Sequence, residues 1–204
     1  MVRLFELVQP GTELKDDVKF VRVMLATLQA TFSVDPQRLY ATGFSNGGGF
    51  VLTRLVPEMH AVLAAFATSG SGLWGEAQLD VLPTGIHASL YSVLGTQDEK
   101  VAEGTGYVLP FPIEAEAIAA DPLLSNMIAN TTGLLSLEPT HEAQSEPPWF
   151  TTLTFRSSPA GAGNQYIFRM VNRMGHVYPS GDNNRAGLNV ADVFWDFFTG
   201  YALP

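Results

Sequence analysis

A short stretch that reads as a strand, Arg38 to Gly43 (RLYATG), passes without a break into the glycine cluster Gly43-Phe44-Ser45-Asn46-Gly47-Gly48-Gly49, and then into a helical segment, roughly Asn46 to Leu55. A strand that turns at once into a helix admits few folds. Ahead of it, Asp16 to Phe32 carries a helical pattern. Val18, Val21, Met24, Leu25, Leu28 and Phe32 recur mostly at steps of three and four. Asp16 and Asp17 put negative charge where a helix begins, and Pro36 ends the pattern. Val2 to Val8 (VRLFELV) reads as a buried strand, followed by a turn at Gln9 to Thr12. Strand, helix, strand over this distance is a parallel crossover unit.

The alternation continues. Val62 to Ala67 is an expected strand ending at Thr68-Ser69-Gly70, and Ala88 to Leu94 is another, ending at Gly95-Thr96. Phe150 to Phe155 and Gln165 to Val171 are two more extended runs. The Ser-, Pro- and Gly-rich stretch Ser157 to Asn164 joins them as a hairpin. Val190 to Tyr201 is an aromatic-rich helix. The expected fold is α/β, with a mostly parallel sheet and helices on both faces, in a single domain over residues 1–204. Val101 to Pro148 fits the alternation poorly. It is expected as an insertion, with a helix around Asp121 to Leu135 and no clear strand.

Composition narrows the function. A net charge of −9 argues against nucleic acid or an anionic membrane as the main partner. No run of about 18 apolar residues is present, so no spanning helix is expected. No signal peptide is visible at the start. The absence of cysteine excludes disulfides, thiolate metal sites and a cysteine nucleophile. The histidines are scattered singly, so metal-ligand spacing is lacking and no cofactor or metal is implied.

Gly43-Phe44-Ser45-Asn46-Gly47 matches Gly-x-Ser-x-Gly, after a strand and opening a helix, which is the setting of a nucleophile elbow. There the residues two before and two after the serine need to be nearly free of side chain, so Gly43 and Gly47 fit. The turn sets Ser45 at a helix N-terminus, where backbone N–H groups favour an oxyanion. No Gly-Lys-Ser/Thr follows, so a nucleotide loop is disfavoured. A serine needs a base, and the base an orienting acid, in the chain order Ser, Asp or Glu, His. His60 and His87 precede strands, away from the carboxyl ends where open α/β sheets place their sites, and His141 has no strand before it. His176 follows the last expected strand and is the candidate base. Asp98 follows the strand Ala88 to Leu94 and is the candidate acid, with Glu99 its main rival and Asp121 and Glu114 deeper in the insertion. Trp74, Trp149 and Tyr178, with Phe44, are candidates for a substrate wall, against a plain packing role.

The stretch Asp35-Pro36-Gln37-Arg38-Leu39-Tyr40-Ala41-Thr42-Gly43-Phe44-Ser45-Asn46-Gly47-Gly48 resembles the nucleophile segment of the polyhydroxybutyrate depolymerase and feruloyl esterase group of α/β-hydrolases. Gly95-Thr96-Gln97-Asp98 is similar to that group's acid motif, and Gly175-His176-Val177-Tyr178-Pro179 to its histidine motif. The resemblance runs from about Asp16 to the end and is weakest between Val101 and Phe150. It implies an N-terminally reduced α/β-hydrolase fold. It implies a serine esterase of a secreted type, acting on hydroxycinnamoyl, acetyl or hydroxyalkanoate esters, small or polymeric. Departures from the group are the missing cysteines, Tyr178 where a tryptophan is usual, and the lack of several leading strands with their His-Gly oxyanion loop.

Two expectations follow from those departures. One oxyanion donor is the backbone N–H of Asn46, and a second is sought in the Gln9 to Lys15 loop, with Thr12 as a side-chain donor. If only Val2 to Val8 covers the flank of the nucleophile strand, that first strand becomes an apolar sheet edge, and either a homodimer or a minimal domain with an unusually protected edge is expected. The rival functions are a peptidase or acyltransferase on the same fold, and a binding module that keeps the triad without a full oxyanion hole.

Overall fold

The computed structural model describes residues 16–75 and 85–204. The expected strand Val2 to Val8, the loop after it and Thr12 lie outside the described residues.

Helix α1 (Asp17–Thr31) begins where the charge pattern places it. Asp16 is its N-cap and accepts the Lys19 backbone N–H at 2.9 Å, pairing one of the donors that a helix start leaves free. Strand β1 (Tyr40–Phe44) follows. A continuous helical stretch comes next: α2 (Asn46–Phe50), a π-helical turn (Val51–Leu55) and α3 (Val56–Met59). The helix expected over Asn46 to Leu55 therefore changes its winding midway and runs on to Met59.

Strand β2 (Ala65–Ser69) starts later than the Val62 to Ala67 expected. The N–H groups of Val62 and Leu63 both donate to the Met59 carbonyl, which closes a turn after α3. Leu63 is buried all the same. Burial demands an apolar side chain but not an extended backbone, so hydrophobicity alone sets the strand's start too early.

Strand β3 (Ser89–Gly95) leads into α4 (Glu99–Thr105), α5 (Ala115–Ala120) and α6 (Pro122–Leu134). Strands β4 (His141–Glu146), β5 (Phe150–Arg156) and β6 (Gln165–Val171) follow, then helix α7 (Val190–Thr199). β5 and β6 form the expected antiparallel hairpin. The insertion does contain a strand, which corrects the expectation of none. β4 pairs with β5 along its whole length. Its sequence, HEAQSE, is exposed at every position, so no alternation of apolar and polar residues marks it.

The six strands make one mixed sheet in the order β1-β2-β3-β6-β5-β4. β1, β2, β3 and β6 are successive parallel neighbours, β5 pairs antiparallel with β6, and β4 pairs antiparallel with β5. The class is α/β. Alternate side chains of the central strands feed two cores. Phe66, Leu90, Leu94, Tyr166, Phe168 and Met170 face one side, with the helical stretch after β1 and with α6. Ala65, Ala67, Tyr91, Val93 and Val171 face the other, against Phe194 and Phe198 of α7.

Helix α1 departs from its sequence pattern. Of the apolar residues expected to face the core only Val18 is buried, with Val21 and Leu25 packed against it. Met24, Leu28 and Phe32 stay exposed, as do Phe20 and Val23. The helix is apolar over a wider arc than the described residues cover.

Candidate active site

Four consecutive strands of the sheet end at the same place. Ser45 follows β1, Gly70 follows β2, Asp98 lies just beyond β3, and His176 lies beyond β6. Parallel pairing sets these carboxyl ends side by side, which is why residues far apart in sequence meet.

Ser45 sits at φ 54° and ψ −120°, between the last residue of β1 and the first of α2. A positive φ is uncommon for a residue with a side chain. It is held by two hydrogen bonds, from the Ser45 N–H to the Ser69 carbonyl and from the Gly49 N–H to the Ser45 carbonyl, both 3.0 Å. The turn is so tight that a Cβ on Gly43 would overlap the backbone carbonyl of Gly47. Gly47 itself has open space where its Cβ would lie, so the expectation that both flanking glycines are sterically required holds for Gly43 and fails for Gly47. The glycine that is tightly packed on the helix side is Gly48, whose Cα faces the Ser71 hydroxyl.

His176 bridges the other two. Its Nε2 lies 2.8 Å from Ser45 Oγ, and its Nδ1 lies 2.8 Å from Asp98 Oδ1. A carboxylate can only accept, so Nδ1 carries the hydrogen, and the bare Nε2 is left to accept from the serine hydroxyl. Asp98 is 1% exposed. Its Oδ1 also accepts the Val101 N–H at 3.0 Å, so the carboxylate caps α4 as well as facing the imidazole. Gly70, at φ +61°, completes the wall: a Cβ there would come within 2.9 Å of the Phe44 ring and 3.1 Å of His176 Cε1.

The rival acids fall elsewhere. Glu99 does not reach the ring; its Oε2 accepts the backbone N–H of His176 at 3.0 Å. Asp121 caps α6 and accepts the Tyr107 hydroxyl. His60 Nδ1 faces the carbonyls of Val56 and Pro57 in its own helix, and His141 stands on β4 beside the Phe155 ring.

Of the candidate substrate residues, the structure gathers two. The Phe44 ring lies 4.8 Å from the His176 ring, and Tyr178 meets Phe44 edge-on at 6.1 Å. Tyr178 is 40% exposed, so this aromatic step faces solvent beside Ser45. Trp74 packs instead into the core near Met127. Trp149 sits in the β4–β5 turn, where its carbonyl accepts the Asn172 N–H. Among the described residues neither tryptophan ring stacks on the His176 ring. Asn46 is exposed at the start of α2, and its N–H has no partner among the described residues. That is the usual state of a first-turn donor.

Sequence reasoning missed the stitching that holds the two loops together. Thr96 Oγ1 accepts the Arg173 N–H at 2.8 Å, and the Gln97 N–H donates to the Met174 carbonyl at 2.9 Å. Arg173 is fixed at φ 56° by this contact. No local pattern announces a hydrogen bond between residues this distant in sequence. A cleft of about 710 Å³ lies beside these loops, lined by Gln97, Tyr107, Phe111, Asp121 and Arg173; Ser45, Asp98 and His176 do not line it. No group of three or more His, Asp or Glu side chains is placed to hold a metal among the described residues. No helix among them is long and apolar enough to cross a membrane.

No family model matches the chain, and no curated protein sequence matches it.

Proposed function

We propose that this chain is a serine carboxylic-ester hydrolase with an α/β-hydrolase-like fold, related to the polyhydroxybutyrate depolymerase and feruloyl esterase group. The observation that carries the reading is the unbroken line Ser45 Oγ, His176, Asp98, with 2.8 Å at each step, beyond the carboxyl ends of the parallel strands β1, β6 and β3. A serine held at φ 54° on a strand-to-helix turn adds to it.

Ser45 Oγ attacks the ester carbonyl while His176 Nε2 takes its proton. The tetrahedral oxyanion is met by the Asn46 N–H at the start of α2. His176 then gives its proton to the leaving alcohol, which departs and leaves an acyl-enzyme. Asp98, buried and bonded to Nδ1, holds the ring in the required tautomer and stabilises the imidazolium. Water, activated by the same imidazole, releases the acid. The substrate class is a short-acyl, hydroxycinnamoyl or hydroxyalkanoate ester, small or polymeric, carried over from the resemblance of the three motifs. Tyr178, exposed beside the half-buried Phe44, supports an open site.

The test uses a fluorophosphonate probe together with p-nitrophenyl esters of rising chain length, a hydroxycinnamate ester and a polyester film. Wild type is expected to be labelled once, at Ser45, and to show an acyl-enzyme burst. Ser45→Ala is expected to lose labelling and at least about 10⁴ in kcat. Labelling that survives Ser45→Ala removes Ser45 as the nucleophile. A wild type with neither burst nor labelling favours a binding module.

A further inference from the structure

Asp98 and Glu99 are neighbours, and both reach the same histidine. Asp98 takes the ring and Glu99 takes the backbone. The bland account of Glu99 is an acidic residue in the first turn of α4, where negative charge is favoured. That account does not require the carboxylate to be aimed anywhere. Here it crosses to another loop and accepts the His176 N–H at 3.0 Å. Gly175 leaves room for it: a Cβ at that position would stand 3.1 Å from Glu99 Oε2. The Glu99 carboxyl is held below the usual carboxylate range, first by its own backbone N–H and then by that of His176.

The surrounding loop explains why this matters. As far as Met174 the segment after β6 is tied to the β3–α4 turn, through Thr96 and Gln97. Beyond it, over Gly175 to Tyr178, the backbone makes one hydrogen bond outside its own loop among the described residues, and Glu99 at the start of α4 is its acceptor. The imidazole must satisfy Ser45 Oγ and Asp98 Oδ1 together, each at 2.8 Å. A displacement of about 1 Å at such a group can cost about 10² in rate.

We propose that Glu99 is a positioning residue for His176: its carboxylate fixes the backbone N–H of the histidine, and through it the aim of the ring. The effect on rate rests on the esterase reading; the hold itself does not.

Two variants separate the parts. Glu99→Ala removes the acceptor, whereas Glu99→Gln keeps an oxygen that can accept the same N–H. Ester kinetics and hydrogen exchange of the His176 amide, followed by NMR, are measured on wild type and both variants. Amides of β3 and β6 serve as the folding control. Glu99→Ala is expected to lose His176 amide protection and about tenfold in kcat with KM little changed. Glu99→Gln is expected to recover the protection and to return kcat to within about threefold of wild type. Protection unchanged in Glu99→Ala overturns the proposal, as does protection lost with kcat intact. A Glu99→Gln variant as impaired as Glu99→Ala also overturns it. A wild type that turns over no ester refutes the esterase reading alone, and the exchange data then decide the hold by themselves.

Discussion

Gly43 and Gly47 flank one serine and are expected to respond oppositely to the same substitution. A methyl group at Gly43 runs into the Gly47 backbone carbonyl, which can yield only by opening the turn. Gly43→Ala is therefore expected to cost about 3 kcal/mol or more. At Gly47 there is open space, and the residue lies in the first turn of α2. Gly47→Ala is expected to be neutral, or stabilising by up to about 1 kcal/mol, because alanine is the better helix former. Urea denaturation of the two purified variants decides the matter, and equal losses would contradict the steric argument. At this scale the sequence pointed to the serine, histidine and aspartate that the structure brings within hydrogen-bonding distance of one another. It treated the two glycines as equivalent because a motif records residue type and not the direction in which a Cβ points.

Asp121 joins two helices and a loop. Its backbone N–H closes α5 on the Ala117 carbonyl, and its Oδ1 accepts the N–H groups of Leu123 and Leu124 at the start of α6. Its Oδ2 accepts the Tyr107 hydroxyl at 2.6 Å. The Tyr107 phenol is pushed up to about 12, first by burial and then by the Asp121 hydrogen bond. A folded value above the unfolded one means that the neutral phenol is favoured by folding. The stability this supplies is complete below about pH 10 and disappears as pH rises towards about 12. Between about pH 9 and about pH 11.5 the urea midpoint of wild type is expected to fall further than that of Tyr107→Phe, the difference isolating this residue. Equal falls would show that the pair contributes nothing. The elements around this junction were only partly legible. The helix near Asp121 to Leu135 could be read from its spacing and was found as α6. β4 could not be read, because an edge strand with every side chain in solvent has no apolar face to betray it. Helix α1 erred the other way: its apolar spacing was plain, but spacing does not say what covers each part of the arc.

The two edges of the sheet differ. β4 carries His141, Glu142 and Glu146, and Glu142 pairs with Arg156. Charges on an edge strand discourage pairing with another chain. β1, Tyr40 to Phe44, has no charged residue, and its outer edge has no strand partner among the described residues. The homodimer expected from the sequence is a prediction at this scale. Light scattering at micromolar concentration is expected to show twice the chain mass, and a strict monomer would refute it. Taken as a whole, the sequence by itself determined the α/β class, the order of the elements around the candidate site, and the placing of Ser45, Asp98 and His176 each after a strand. These rest on short-range signals: a strand running into glycines, and acid and histidine each placed after a strand. Only the tertiary structure decided that β1, β2, β3 and β6 lie side by side, that Glu99 reaches the backbone of His176 and not its ring, and that Trp74 packs into the core while Phe44 and Tyr178 stand at the serine. Sheet order and the aim of a side chain depend on contacts between residues far apart along the chain, and no local pattern encodes those.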